Sequence, residues 1–239
     1  MRKEFQTSAV SRQALLLFVQ EYRKDRKRFG FGDAMDRSVH LALQHRTFGI
    51  VREFTDTDLI VVQGGLVPPI EGASYLQQRG SDFNSRFLAA LQDTFALGYD
   101  RVVVVGGDIP TLNREDIAQA LQRRELVLGP TCDGGFYLAG LQQDDLSLFD
   151  QLPWRQKGLL DCLNERIHAA GRSCFQLVTR RDIDHAGDAS RASALLLHLV
   201  RVWLGTTVKQ RCAGLNPILF PLNRIPEPRF NSLPPPFLL

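Results

Sequence analysis

Apolar residues along this chain follow two rhythms, and each predicts a different kind of element. Short continuous apolar runs at Ala14 to Val19, Leu59 to Val62, Val102 to Val105 and Leu126 to Leu128 predict strands buried on both faces. Phe136 to Leu141 and Cys174 to Val178 are further extended candidates. Helical spacing fills the intervals. Asp33 to Phe48 gathers Met35, Val39, Leu41, Ala42 and Leu43 on an apolar side. From Asp82 to Leu97, Phe83, Phe87, Leu88, Leu91 and Phe95 recur at helical spacing. Asp82 can cap that helix and Gly98 can stop it. Asn113 followed by Asp116 is a capping pair for a helix over 114–123. Helices are also expected over 156–170 and 188–204. Gly64 to Ser81 shows no clear period and reads as a long loop, of the kind that often binds ligands.

Strands that alternate with helices imply an α/β fold, with a mostly parallel central sheet flanked by helices. This pattern covers residues 1–204. From Gly205 onward prolines accumulate, ending in Leu233-Pro234-Pro235-Pro236-Phe237-Leu238-Leu239, and proline at that density opposes regular helix or sheet. Residues 205–239 therefore read as a Pro-rich C-terminal extension. Its apolar residues could pack against the domain, or against a second subunit to form a homodimer.

Composition narrows the function classes. The chain has 239 residues, 44% hydrophobic and 23% charged, with a formal net charge of +3. These values are ordinary for a globular protein and too weakly basic to signal nucleic-acid binding. Cys132, Cys162, Cys174 and Cys212 are widely spaced, without a Cys-x-x-Cys pair or histidines at metal-ligand spacing, so neither a zinc site nor a disulfide framework is expected. No run approaches the ~20 apolar residues of a membrane span. The early apolar run leads into Glu21-Tyr22-Arg23-Lys24-Asp25-Arg26-Lys27-Arg28 rather than a small-residue cleavage site. A cytoplasmic location is expected.

The candidate chemistry centres on Asp108. It follows Val102-Val103-Val104-Val105-Gly106-Gly107 and precedes Ile109-Pro110, at the carboxyl end of a predicted parallel strand, where open α/β sheets place their ligands. The two glycines allow another backbone or a phosphate to come close. Asp82 and Arg86 stand four apart at a helix start and can face each other. Asp182 and Asp184 point the same way if their segment is extended, so geometry alone does not choose between them.

Read together, these motifs resemble the bacterial DUF2064 family of glycosyltransferase-A-like, nucleotide-diphospho-sugar transferase proteins, relatives of the molybdenum-cofactor and phospholactate nucleotidyltransferases. Gln78-Arg79-Gly80-Ser81-Asp82-Phe83-Asn84-Ser85-Arg86-Phe87 is similar to the family's Q-x-G-x-D-L-G-x-R-M. The stretch from Val104 to Leu112 resembles V-I-G-S-D-C-P-x-L. Leu128-Gly129-Pro130-Thr131-Cys132-Asp133-Gly134-Gly135-Phe136-Tyr137-Leu138-Ala139-Gly140-Leu141 resembles L-G-P-A-x-D-G-G-Y-Y-L-I-G-L. Phe149 and Trp154 follow the family's order, and Asp182-Ile183-Asp184 resembles its closing D-V-D. The resemblance spans about residues 77–188. There are departures. The family's opening F-x-K-x-P-x-x-G-x-x-K-T-R-L has no counterpart in Phe18 to Gly30, Asn84 replaces a Gly, and Trp154 is followed by Arg155-Gln156 rather than Ser-Thr.

The resemblance implies a Rossmann-like GT-A fold and transfer of a glycosyl group from a nucleotide-diphosphate sugar to an unidentified acceptor. Mg2+ or Mn2+ would neutralise the diphosphate, held by Asp108 and by Asp184, which matches the usual metal position. Asp133 would face the transferred group and could act as a base. Substrate contacts would fall on Gln78, Asp82, Arg86, Gly107, Gly134 and Gly135. Arg26 and Arg28, within the basic run Arg23, Lys24, Arg26, Lys27 and Arg28, would meet phosphates. Two alternatives stand beside this reading: nucleotidyl transfer with release of pyrophosphate, and a non-catalytic member serving as a binding or assembly subunit.

Overall fold

The computed structural model describes residues 11–19, 28–65, 69–154 and 156–212. Its centre is a seven-stranded sheet in the order β3-β2-β1-β4-β6-β5-β7. The strands are β1 (Gln13–Val19), β2 (Asp58–Gln63), β3 (Ala73–Gln77), β4 (Arg101–Val105), β5 (Leu126–Pro130), β6 (Phe136–Leu141) and β7 (Cys174–Gln176). All pairings are parallel except those of β6, which runs antiparallel to β4 and β5. The mostly parallel α/β architecture read from the sequence is the one observed.

Both faces of the sheet's inner strands are buried. In β1, Ala14 and Leu16 pack on one face, with Phe18 beside them, while Leu15, Leu17 and Val19 pack on the other. An uninterrupted apolar run in the sequence is the signature of that double burial. The first face is covered by α2 (Phe83–Ala96) and α4 (Leu159–Ala169), and the second by α1 (Asp33–Val51) and α3 (Arg114–Gln122). Outside α1 lie α5 (Ala186–Arg191) and α6 (Ser193–Cys212). Phe29, Val39, Leu43, Ile183 and Leu196 form a third cluster there.

Caps set the helix starts as the sequence suggested. Asp82 accepts from Ser85 N at 2.8 Å, and Asn113 accepts from Asp116 N at 3.0 Å, each within a reciprocal capping box. Two expectations need correction. The supposed loop at 64–81 contains β3, paired with β2 in parallel register from Leu59↔Ala73 to Gln63↔Gln77. As an edge strand it is largely exposed, so it lacks the apolar rhythm that marks buried strands. The helix expected over 188–204 is two helices that break at Ala192, and the second continues past Gly205 to Cys212. A single glycine weakens a helix without ending it when packing on one side persists. Residues 213–239, most of the Pro-rich extension, lie outside the described residues.

Candidate active site

Three chain segments meet at the carboxyl edge of the sheet. Because β5 and β7 are parallel, the chain leaving each strand continues in the same direction. The two exits stay paired: Leu177 N donates to Leu128 O at 2.8 Å, Arg180 N to Pro130 O at 2.9 Å and Cys132 N to Arg180 O at 3.0 Å. The segment after β7 then reaches the end of β4, where Ile183 N donates to Asp108 O at 3.1 Å. These bonds carry Asp133, Asp182 and Asp184 to one place, with a carboxylate oxygen from each lying within 4.8 Å of the others. Residues 182 and 184 share a side, as an extended segment requires.

Asp133 is held by its own turn. Thr131 Oγ1 donates to Asp133 Oδ1 at 2.5 Å, and Gly135 N donates to the same oxygen at 3.2 Å. No described residue bonds Oδ2. A Cβ on Gly135 would stand 3.0 Å from Thr131 Oγ1, so the glycine leaves room for this hydrogen-bonded turn. Gly134 adopts a positive φ of 89° and accepts Leu160 N at 2.9 Å, fixing the turn to the start of α4.

The cluster opens into a cavity of about 790 Å³ that also receives Asp108, Gly106 and Gly107, a size typical of small-molecule sites. Asp108 and Asp184 therefore face one cavity, but Asp108 is outside the close carboxylate group. The donor set Asp133, Asp182 and Asp184 consists of hard oxygens and suits Mg2+ or Mn2+. Arg28 and Lys157 supply positive charge at the walls. Arg28 is placed by a bridge to His185 and donates to Asp33 Oδ1 at 2.9 Å. The turn after it is tied down by the buried Asp36 carboxylate, which accepts Phe29 N at 3.1 Å and Phe31 N at 3.0 Å.

The two sides of the cavity differ. Against α1 the wall carries the polar His40, Gln44 and Thr47 together with Phe48; His40 Nε2 and Gln44 Nε2 are joined at 2.8 Å. On the opposite face of the sheet it is aromatic, with Phe18, Phe83, Phe87, Phe136 and Trp154.

Other predicted contacts have scaffold partners. Gln78 Nε2 donates to Val19 O at 3.0 Å and to Val62 O at 3.4 Å, joining the ends of β1 and β2. Among the described residues no ion pair links Asp82 with Arg86. The Asp82 carboxylate caps α2, and the Ser85 amide holds its pKa below the usual range. Arg86 Nη1 reaches Ser81 O at 3.5 Å. Gln78, Asp82, Arg86 and Gly134 are not among the residues lining the cavity. Arg26, Arg23, Lys24 and Lys27 lie outside the described residues. Sequence reasoning gave no role to His40, Gln44, Asp36 or Lys157. The Phe29-Gly30-Phe31-Gly32 turn preceding an acidic helix start was the available signal for Asp36.

Residues 64–156 match the family model DUF2064, described as an uncharacterized protein conserved in bacteria. Over that stretch the chain is similar to the DUF2064 family. Among solved structures, the fold is similar to that of a protein from Desulfovibrio desulfuricans G20 named provisionally as a nucleotide-diphospho-sugar transferase, with a TM-score of 0.65 and 22% identity over 80% of this chain and 99% of that one. It is also similar to 4-diphosphocytidyl-2C-methyl-D-erythritol synthase from Anaerococcus prevotii DSM 20548, with a TM-score of 0.52 and 10% identity over 78% and 96%. A third is Rv0371C from Mycobacterium tuberculosis H37Rv in complex with manganese, with a TM-score of 0.50 and 15% identity over 79% and 99%. At these identities the likeness is one of fold. Among curated proteins the chain finds no match. The matched stretch contributes Asp108 and Asp133 to the site, whereas Asp182 and Asp184 arrive from beyond it. Within the segment, Asn84, which stands where the family pattern has Gly, accepts the Trp154 indole N–H at 2.7 Å.

Proposed function

We propose that this protein is a metal-dependent transferase that moves a glycosyl group from a nucleotide-diphosphate sugar to a hydroxyl acceptor. The observation that carries this reading is the convergence of Asp133, Asp182 and Asp184 within 4.8 Å at the carboxyl edge of the sheet, in a cavity that also receives Asp108, Arg28 and Lys157. A divalent cation held by the three carboxylates would neutralise the diphosphate as it leaves. Arg28 and Lys157 supplement that charge. In the transfer, the acceptor oxygen bonds to the anomeric carbon and the bond from that carbon to the phosphate oxygen breaks. The electron pair departs with the nucleoside diphosphate. The acceptor proton needs a base. Because Asp133 belongs to the tight carboxylate group and Asp108 does not, the geometry supports exchanging the roles first expected of them. Asp133 joins Asp182 and Asp184 around the cation, and Asp108 receives the proton.

Nucleotidyl transfer is the second reading. It is supported by the fold likeness to the Anaerococcus prevotii diphosphocytidyl synthase, and it uses the same cation and phosphate cavity. Products separate the two. With Mn2+ and a panel of nucleotide-sugars, glycosyl transfer releases a nucleoside diphosphate; with nucleoside triphosphates, nucleotidyl transfer releases pyrophosphate. Thermal-shift titration with and without Mn2+ precedes either assay. Stabilisation by nucleotide that requires Mn2+, beyond the shift Mn2+ gives alone, and that Asp184→Asn abolishes, is the expected result. No metal-dependent response to any nucleotide would overturn both readings and leave a binding or assembly protein.

A further inference from the structure

The cavity straddles the edge of the sheet, and its two sides are chemically unlike. Leu17 and Val19 of β1 face the α1 side, where His40, Gln44 and Thr47 offer hydrogen-bonding groups. Phe18 points to the other side and meets Phe83 and Phe87 edge-on, with centroids 5.6 and 6.0 Å away. Trp154 completes that wall, 4.9 Å from Phe83, 4.8 Å from Phe87 and 5.5 Å from Phe136. The acidic group touches both sides. Ile183, between Asp182 and Asp184, packs with α1, and Gly134, beside Asp133, is bonded to the start of α4.

Two features mark the aromatic side as a binding wall rather than closed core. Phe18, Phe136 and Trp154 line the cavity and are only partly buried, so ring surface remains available to a ligand. The indole is fixed by its 2.7 Å hydrogen bond to Asn84, which orients the ring in advance and reduces what a ligand must order on binding. Phe18, Phe83, Phe87, Phe136, Trp154 and Leu159 give this wall its apolar surface, and Gln156 and Lys157, which also line the cavity, lie between Trp154 and Leu159 in the chain.

We propose that this aromatic side holds the acceptor, and that the acceptor is an uncharged molecule with a planar apolar ring, of the aryl alcohol class. Planar rings stack on or meet edge-on with such a wall, whereas a phosphate would lose hydration there without compensation. The nucleotide then takes the polar α1 side, and the acids lie between the two. This inference rests on the proposed function only for the name acceptor; occupancy of the wall by an aryl ring is testable without metal or nucleotide.

The probe is 2-naphthol, with its saturated counterpart decahydro-2-naphthol as control. The chain has two tryptophans, and Trp203 packs in the separate cluster against α1. Trp203→Phe therefore leaves Trp154 as the reporter. Naphthol is expected to quench Trp154 fluorescence with the same affinity with or without Mn2+. The saturated alcohol should bind at least about tenfold more weakly, because only the flat ring matches the wall. By calorimetry, Trp154→Leu should weaken naphthol binding at least tenfold. Asn84→Ala keeps the indole and releases its anchor, and should weaken binding several-fold; it also serves if the Trp154 variant fails to fold. Equal binding by parent and Asn84→Ala protein, or no preference for the planar alcohol, overturns the proposal. Competition of naphthol by a nucleoside diphosphate in Mn2+ also overturns it and assigns the ring to the nucleotide base. Because the naphthol titrations need no metal, their failure leaves the metal-dependent nucleotide response standing, and the converse loss sinks only the proposed reaction.

Discussion

Single residues here are constrained by what their neighbours need, and Gly129 is the clearest case. A Cβ on it would lie 2.5 Å from Tyr137 Cζ, across the β5–β6 pairing. Tyr137 is 3% exposed, donates to Val178 O at 3.2 Å, and its phenol is pushed up to about 12 by burial and by the charge of Asp116. The ring has no easy way to yield, so Gly129→Ala should destabilise the protein by about 1–3 kcal/mol, the usual cost of overpacking, measurable by urea unfolding. The resemblance flagged this glycine as part of a motif, but the reason for it lies in a ring eight residues later. The thiols give a second prediction. Cys132 is exposed, whereas burial, aided by the charges of Asp145 and Glu125, raises the Cys174 thiol to about 11. At pH 8 only about one Cys174 in a thousand is then thiolate, the reactive form. Iodoacetamide at that pH should label Cys132 well before Cys174, as read by peptide mass spectrometry; labelling of Cys174 first would contradict the described packing.

At the scale of elements, what was legible in the sequence was what is local. The buried runs became β1, β2 and β4, and the Asp82 and Asn113 caps start α2 and α3 where their side chains implied. The β3 strand was not legible, because its partner β2 supplies the burial and β3 itself faces solvent. Nor was the carboxylate grouping legible. Asp108 and Asp184 were both singled out, but that Asp133 and Asp182 join Asp184 depends on β5 and β7 pairing in parallel and staying paired beyond their ends, a contact across about fifty residues of chain. One side-chain pair fastens those exits to the body of the fold. Arg180 Nη2 donates to Asp116 Oδ1 at 2.9 Å, and Nε lies 2.6 Å from Oδ2, with the two side chains 14% and 6% exposed. Arg180→Gln would leave a buried carboxylate without its cation. The expected loss is about 3–5 kcal/mol, and the double variant Arg180→Gln, Asp116→Asn should recover part of it. Full additivity of the two single losses would show that the pair does not act as a unit.

For the whole molecule, the site is assembled from segments far apart in the chain, and this couples ligand binding to global stability. Asp133 follows β5, Asp182 and Asp184 follow β7, and the latter segment is bonded to the end of β4. An unfolded chain cannot present these carboxylates together, so a cation that binds all three binds the folded state almost alone. Linkage then gives about 2.7 kcal/mol of added stability at a free metal concentration one hundred times Kd. For a chain of this size each kcal/mol moves Tm by roughly 2–4 °C, so Mn2+ at that level should raise Tm by roughly 5–10 °C, reversibly on chelation. Asp182→Asn should weaken Mn2+ at least about tenfold and shrink the shift accordingly. Asp108→Asn should leave the metal-induced shift nearly intact while abolishing turnover, because Asp108 shares the cavity but not the close group. The comparison of those two variants is the sharpest test of how the acids divide their work. A metal shift lost with Asp108→Asn and kept with Asp182→Asn would return the cation to the end of β4.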